Sequence, residues 1–276
     1  MTSTSEIRPN PATVNWEVVC DTSSMGTGTS VGVPAIGCRC DVCRSHNPLN
    51  RRTRTSALLS LDGHRVLIDA SFDLRQQALR EELDSLDAVL VTHGHADHVF
   101  GLDDVRMFNF RQQGAVPIYT NAATIRDLER TFWYVFEGIP SSSSRPQLLL
   151  NEVSTQPFIA GGFRVIPFPV IHGTVPILGF RVGKFAYITD ASALADESLP
   201  LLSGLDALVI NALRRKSHPT HFNLDGALDA IAMIAPRRAY LTHISHEFDH
   251  VSLARELPDG IEPAHDGLSF EVDHDP

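Results

Sequence analysis

Residues 93 to 98 read His-Gly-His-Ala-Asp-His, and they directly follow the strand-like segment Asp87 to Thr92, with its apolar run Ala88-Val89-Leu90-Val91. No other feature constrains the fold as tightly. An unbroken apolar run of this length is what a strand buried on both faces needs, and here it ends in three imidazoles and a carboxylate. Those groups are normal ligands for zinc, manganese and iron(II). Gly94 and Ala96 are small and leave room for close approach. His93 and His95 can point to one centre, and Asp97 and His98 can serve a second. A solvated histidine-rich turn is the bland alternative; it gives no reason for the strand in front.

Similar endings recur. His172 closes the segment Phe168-Pro169-Val170-Ile171-His172, Asp190 closes Ala186-Tyr187-Ile188-Thr189-Asp190, and His243 closes Ala239-Tyr240-Leu241-Thr242-His243. Any one of them alone could be a helix cap or a turn residue. Three of them at strand ends fit packing poorly and fit a shared site well.

Around these residues strands and helices alternate. Ala57 to Leu61, a turn at Asp62-Gly63, and Arg65 to Asp69 predict a hairpin. Phe72 to Leu83 has helical spacing. Val116 to Thr120 predicts a strand, followed by a helix capped by Asn121 and running through Phe136. Residues 138–146, rich in Pro and Ser, form a loop. Strands are expected at Leu148 to Val153, Phe163 to Ile171 (buried on both faces), Leu178 to Val182 and Phe185 to Thr189. A helix follows from Ser192 to Leu202, then strand, helix and strand at Ala207 to Asn211, Leu224 to Ile234 and Arg238 to Thr242. The grammar suits an α/β protein with two mixed sheets facing each other and helices outside.

The chain has 276 residues and a net charge of −10. It is long enough for one large domain, taken as residues 14–276 after a disordered tail at 1–13. The acidic balance argues against general nucleic-acid or anionic-membrane binding, although bound metal would reverse the sign locally. There is no apolar run near the roughly 20 residues of a membrane span, and a cytoplasmic location is the default expectation. Cys38, Cys40 and Cys43 crowd one loop. Without a secretion signal a disulfide framework is not expected, and metal binding is preferred over a redox thiol pair. Thiolate-bound zinc wants a fourth ligand, and His246 is the best candidate.

The ordered set HxHxDH, His172, Asp190 and His243 resembles the metallo-β-lactamase fold superfamily from Asp69 to His243. The resemblance implies an αββα sandwich with the metals at one edge. It implies that His93, His95 and His172 hold a first divalent ion, that Asp97, His98 and His243 hold a second, and that Asp190 bridges them. It makes Asp69 an outer support of the metal loop.

Gly26-Thr27-Gly28-Thr29-Ser30, then CxCxxC, HxHxDH and THxxH, is similar to the branch containing the phosphoribosyl cyclic phosphate phosphodiesterase of phosphonate degradation. That resemblance implies a structural zinc on Cys38, Cys40, Cys43 and His246, and a leaving-group role for His221. Asp97 is expected to share in catalysis as well as in binding metal. The implied chemistry is hydrolysis of a small (cyclic) phosphate ester by a metal-bridged hydroxide, with zinc or manganese as the ion. The tRNA-processing nucleases and the pyrroloquinoline quinone biosynthesis protein B are related alternatives, the second as an accessory metal protein. A homodimer is compatible with this reading. Arg51, Arg52 and Arg54 are expected on a solvated face, the Gly26–Ser30 run at the border of the site, and His46, His64, His250, His265 and His274 on the surface.

Overall fold

The computed structural model describes residues 18–137 and 144–274. The expected tail at 1–13 and positions 138–143 of the expected loop lie outside the described residues, as does the His274 side chain. The chain first lays down six strands of one sheet: β1 (Val18–Gly26), β2 (Ser56–Leu61), β3 (His64–Ile68), β4 (Ala88–Leu90), β5 (Val116–Thr120) and β6 (Leu148–Glu152). It then builds a second sheet from β7 (Phe158–Ala160), β8 (Phe163–His172), β9 (Val175–Val182), β10 (Phe185–Ile188), β11 (Ala193–Leu194), β12 (Ala207–Asn211), β13 (Arg238–Thr242) and β14 (Ile261–Pro263). The last strand, β15 (Leu268–His274), returns to the first sheet beside β1. The sheet orders are β15-β1-β2-β3-β4-β5-β6 and β11-β8-β9-β10-β12-β13-β14, with β7 on β8.

Both sheets begin antiparallel and end parallel. The β2–β3 hairpin turns at Asp62 and Gly63, whose φ values of 50° and 84° are those its two-residue turn demands. Pairings β3–β4–β5–β6 and β10–β12–β13–β14 are parallel. Parallel neighbours require crossovers, and these supply the outer helices.

The side chains explain the layers. In β3, Val66 and Ile68 face the other sheet and Leu67 faces the helices. In β12, Ala207 and Val209 point inward while Leu208 and Ile210 meet the outer helices. Each such strand is buried on both faces, so it reads as an unbroken apolar run. Helices α1 (Asp41–Arg44), α2 (Leu74–Arg80), α3 (Ala96–Val99), α4 (Arg106–Gln112), α5 (Ala122–Thr131) and α6 (Trp133–Phe136) belong to the first half. α7 (Leu224–Ile234) and α8 (His250–Glu256) belong to the second. The result is the expected αββα sandwich of two mixed sheets.

Several expectations need correction. The segment 192–202 is not an α-helix: it is β11 followed by a 3₁₀ helix, Asp196–Leu202, with Pro200 inside it. Proline removes an amide donor and blocks the α ladder there. The helix after Asn121 breaks at Phe132 before α6. Strand β8 is not doubly buried at its start, because Arg164 is exposed between Phe163 and Val165. Arg52 is not solvated: it is 1% exposed, and its Nη1 donates to the Phe248 carbonyl at 3.3 Å. Arg54 is partly buried against Asp73 at 2.9 Å. His250 is buried rather than on the surface. Among the described residues no helix is long and apolar enough to cross a membrane.

A candidate metal centre

The strand ends of both sheets converge on one edge. Asp69, Asp190 and His243, one residue or two beyond β3, β10 and β13, have φ of 62°, 58° and 54°. Left-handed backbone at non-glycine residues is uncommon and costs energy, though Asp and His tolerate it best. At each of these points the chain turns sharply as it leaves the strand.

Two groups of ligand-type atoms result. His93, His95, His172 and Asp190 form one, and Asp97, His98, Asp190 and His243 the other; within each group the atoms lie within 4.8 Å of one another. Asp190 belongs to both. One of its oxygens, Oδ1, is 3.5 Å from His98 Nε2 and 3.3 Å from His243 Nδ1. The other, Oδ2, is 3.8 Å from His93 Nε2 and 3.1 Å from His221 Nε2.

Hydrogen bonds behind the ligands set their tautomers. His172 Nδ1 donates to the Thr220 carbonyl at 2.7 Å, which leaves Nε2 its lone pair. His98 Nδ1 lies 2.6 Å from the fully buried Asp69 Oδ2. Asp69 also accepts from the Thr92 amide and hydroxyl, and that hydroxyl lies 3.0 Å from His93 Nδ1. Asp69 thus orients one histidine of each group. His98 Nε2 is buried without a hydrogen-bond partner, although Asp97 Oδ2 is only 3.2 Å away. An orphaned buried nitrogen facing two carboxylates suits a cation between them.

The electrostatics are strongly shifted. Burial opposes ionisation of Asp190, but His243 and His98 outweigh it and hold the carboxyl well below its usual range. Burial also works against charging His98, yet Asp190, Asp69 and Asp97 push its pKa well up. His93 and His243 are driven down by burial, His243 to about 4, so both are neutral at pH 7. Neutral imidazoles and ionised carboxylates are the states that bind a divalent ion, so a cation held by the second group would take the place of the proton that the three carboxylates hold on His98.

The structure brings together every histidine and aspartate expected at the centre. It places His221 at the mouth, stacked on His243 with ring centroids 5.1 Å apart. It also adds residues that had not been singled out. Thr92 and Thr189 precede His93 and Asp190, and each hydroxyl meets its neighbour's side chain. Thr55 reaches His243 Nδ1 at 3.2 Å. For Thr92 and Thr189 the sequence signal was a threonine immediately before the ligand in VTH and ITD; Thr55, distant in sequence from His243, had none. As expected, the glycine-rich run borders the centre: Thr29 and Ser30 line a cavity of about 320 Å³ with His218, His221 and His243.

The cysteines form a separate cluster. Cys38, Cys40 and Cys43 group with His246, whose Nδ1 is 3.4 Å from Cys38 Sγ and 3.3 Å from Cys40 Sγ. Tetrahedral zinc with ordinary Zn–S and Zn–N bonds places such atoms about 3.5 Å apart. Cys40 caps α1, accepting from the Cys43 amide, and this bond and His246 lower its pKa. Burial raises the Cys43 thiol to about 11. The donor set and spacing fit a structural zinc.

The comparisons agree with this geometry. Residues 64–244 match the model of the beta-lactamase superfamily domain. A solved structure described as a new diphosphatase from the PhnP family is 43% identical, with a TM-score of 0.87, covering 93% of this chain and 98% of that one. An octanoyltransferase of Porphyromonas gingivalis is 42% identical over 256 residues, 90% of this chain and 51% of that protein. The chain therefore spans about half the length of that relative. The coenzyme PQQ synthesis protein B of Methylobacterium radiotolerans is 26% identical, over 90% of this chain and 98% of its own. A shared domain, a shared sandwich and a converged histidine–aspartate edge give one conclusion: the chain belongs to the metallo-β-lactamase superfamily, in its PhnP-like branch.

Proposed function

We propose that this chain hydrolyses a small phosphate ester, a phosphodiester or diphosphate, using two divalent cations, zinc or manganese. His93, His95, His172 and Asp190 would hold the first cation, and Asp97, His98, Asp190 and His243 the second. A third ion, a structural zinc, would sit on Cys38, Cys40, Cys43 and His246. The observation that carries the reading is Asp190, whose two oxygens face the two groups separately. The diphosphatase relative supports the phosphorus chemistry. An accessory role like that suggested by PQQ synthesis protein B would go with a degraded second group; here its members converge.

When bound, the paired cations supply charge neutralisation on phosphoryl oxygens and an activated water. The chain's own residues do the rest. Asp69 holds His98, and through Thr92 holds His93, in the tautomer that keeps Nε2 free. His221 stands at the mouth with Nε2 3.1 Å from Asp190 and delivers a proton from that atom to the leaving oxygen. Asp97, 3.2 Å from His98 Nε2, completes the second group and supplies negative charge for the cation there.

The test is hydrolysis of bis(p-nitrophenyl) phosphate and of a dinucleoside diphosphate by protein of known metal content. Activity should vanish on chelation and return with manganese or zinc. No turnover of either substrate by fully loaded protein would overturn the proposal.

A further inference from the structure

The loop between β12 and α7 carries a second histidine that neither the metal groups nor the proton step uses. It reads Ser217-His218-Pro219-Thr220-His221. His218 is half-buried and lines the same cavity as His221 and His243. Thr220 ties this loop to the centre. Its carbonyl accepts from Nδ1 of His172, a member of the first group, at 2.7 Å. Its hydroxyl lies 3.2 Å from His218 Nδ1 and 2.9 Å from His221 Nδ1. Those two ring nitrogens are themselves 3.2 Å apart.

One contact decides where the protons sit. The Thr220 backbone amide, which can only donate, points at His218 Nδ1 at 3.3 Å. Pro219, with its fixed φ, stands inside the turn that brings this amide back onto the ring. His218 Nδ1 therefore offers a lone pair, and the ring's proton is on Nε2. Burial first, then His221, Arg214 and His172, lower the His218 pKa and favour the neutral ring that has this lone pair. With no proton on His218 Nδ1, the proton between the two rings belongs to His221 Nδ1. That nitrogen donates to the Thr220 hydroxyl, and the hydroxyl donates in turn to His218 Nδ1. Nε2 is then the His221 nitrogen left to face the reaction, and it is the one 3.1 Å from Asp190.

We infer that His218 is a positioning residue for His221: as the last acceptor of a chain through Thr220, it holds the His221 ring so that Nε2 faces the leaving oxygen. The inference rests on the proposed hydrolysis and on the proton step given to His221, and it adds the group that aims that step. His218 touches no reacting atom. Its loss misdirects a group that acts in the transition state, so it should appear in kcat more than in KM.

Two diesters that differ in leaving group test it. Bis(p-nitrophenyl) phosphate releases a weakly basic anion that departs without help; diphenyl phosphate releases a far more basic one that gains from a proton. The readout is the ratio of kcat on diphenyl phosphate to kcat on bis(p-nitrophenyl) phosphate, relative to wild type. His221→Ala should lower it about 10²-fold, the loss of the acid itself. His218→Leu should lower it about 10-fold, the loss of one charge-assisted hydrogen bond, with active-site metal retained by elemental analysis. Thr220→Val, which removes the hydroxyl and keeps the carbonyl, should do the same. His218→Asn, whose Oδ1 can stand where Nδ1 stood, should recover most of the ratio. An equal loss on both diesters in His218→Leu and Thr220→Val, no recovery in His218→Asn, or loss of active-site metal in His218→Leu overturns the inference and leaves the hydrolase reading standing. If His221→Ala leaves the ratio unchanged, the proton step fails and the inference with it. If loaded wild type hydrolyses neither diester, the hydrolase reading itself fails.

Discussion

The two proposed metal sites are built from opposite kinds of chain geometry. The histidine–aspartate centre draws on strand ends in both sheets, from His93 to His243, and no two of its four contributing segments are sequence neighbours. The cysteine cluster takes three ligands from one short loop and a single distant one, His246. The first site can exist only after the sheets have packed. The second can hold its three thiols together locally and uses His246 to pin that loop to the other half. The difference assigns chemistry to the site that packing preorganises, and stability to the site that closes a loop. His243 and His246 lie three residues apart and serve different clusters, so the two sites are neighbours without sharing a ligand.

The strongest way to break that division is to remove the shared carboxylate. Asp190→Ala should lower metal-dependent hydrolysis by at least about 10³-fold, because it strips an anion from both groups at once. Elemental analysis should show loss of active-site metal with the cysteine-bound zinc retained. Cys40→Ser should give the converse: zinc lost, with stability reduced by at least about 3 kcal/mol in denaturant titrations, since structural zinc carries folding energy. Equal loss of all metal in both variants would mean that the clusters are one cooperative unit.

A smaller change probes how the centre is aimed. Asp69 contacts no expected substrate, yet it fixes His98 directly and His93 through Thr92. Asp69→Asn should weaken active-site metal binding about 10- to 100-fold and leave the zinc untouched. Competition with a chromogenic chelator measures both. Unchanged affinity would show that packing alone sets the histidine tautomers.

What could be read from the sequence divides along the same line. Strands buried on both faces leave unbroken apolar runs, and a ligand at the end of such a run stands out; this is why His93, His172, Asp190 and His243 were found. Asp69 and His221 were placed by family resemblance. Thr55, Thr92 and Thr189, which touch His243, His93 and Asp190, were missed, because a threonine just outside a strand is ordinary until its partner is known. Arg52 and His250 were misread for a different reason. Charge type predicts exposure on average, but burial of one arginine depends on a neighbour 196 positions away, the Phe248 carbonyl. The 192–202 segment shows a third limit: a helix expected across Ser192 to Leu202 takes no account of Pro200, which cannot donate to an α ladder.

His250 offers the mildest test, and it lies on the cysteine side of the comparison. Arg52 exchanges backbone hydrogen bonds with Val33, just before the cysteine loop, and holds the Phe248 carbonyl two residues after His246. His250 is buried next to this arginine, and its Nδ1 has no hydrogen-bond partner. Burial, then the charges of Arg52 and His265, push its pKa down to about 4, against the pull of Asp249. A histidine that titrates lower in the folded chain binds fewer protons there than when unfolded. Its contribution is therefore complete above its unfolded pKa of 6.5 and is lost as pH falls from 6.5 through about 4. The expected loss is about 1–3 kcal/mol. Urea titrations at pH 7 and pH 4.5 should show wild type losing more stability than His250→Gln. The acid-sensitive metal ligands are common to both proteins and cancel in the difference. An equal loss would mean that His250 charges without cost, and that the acid sensitivity of this half belongs to the cysteine cluster alone.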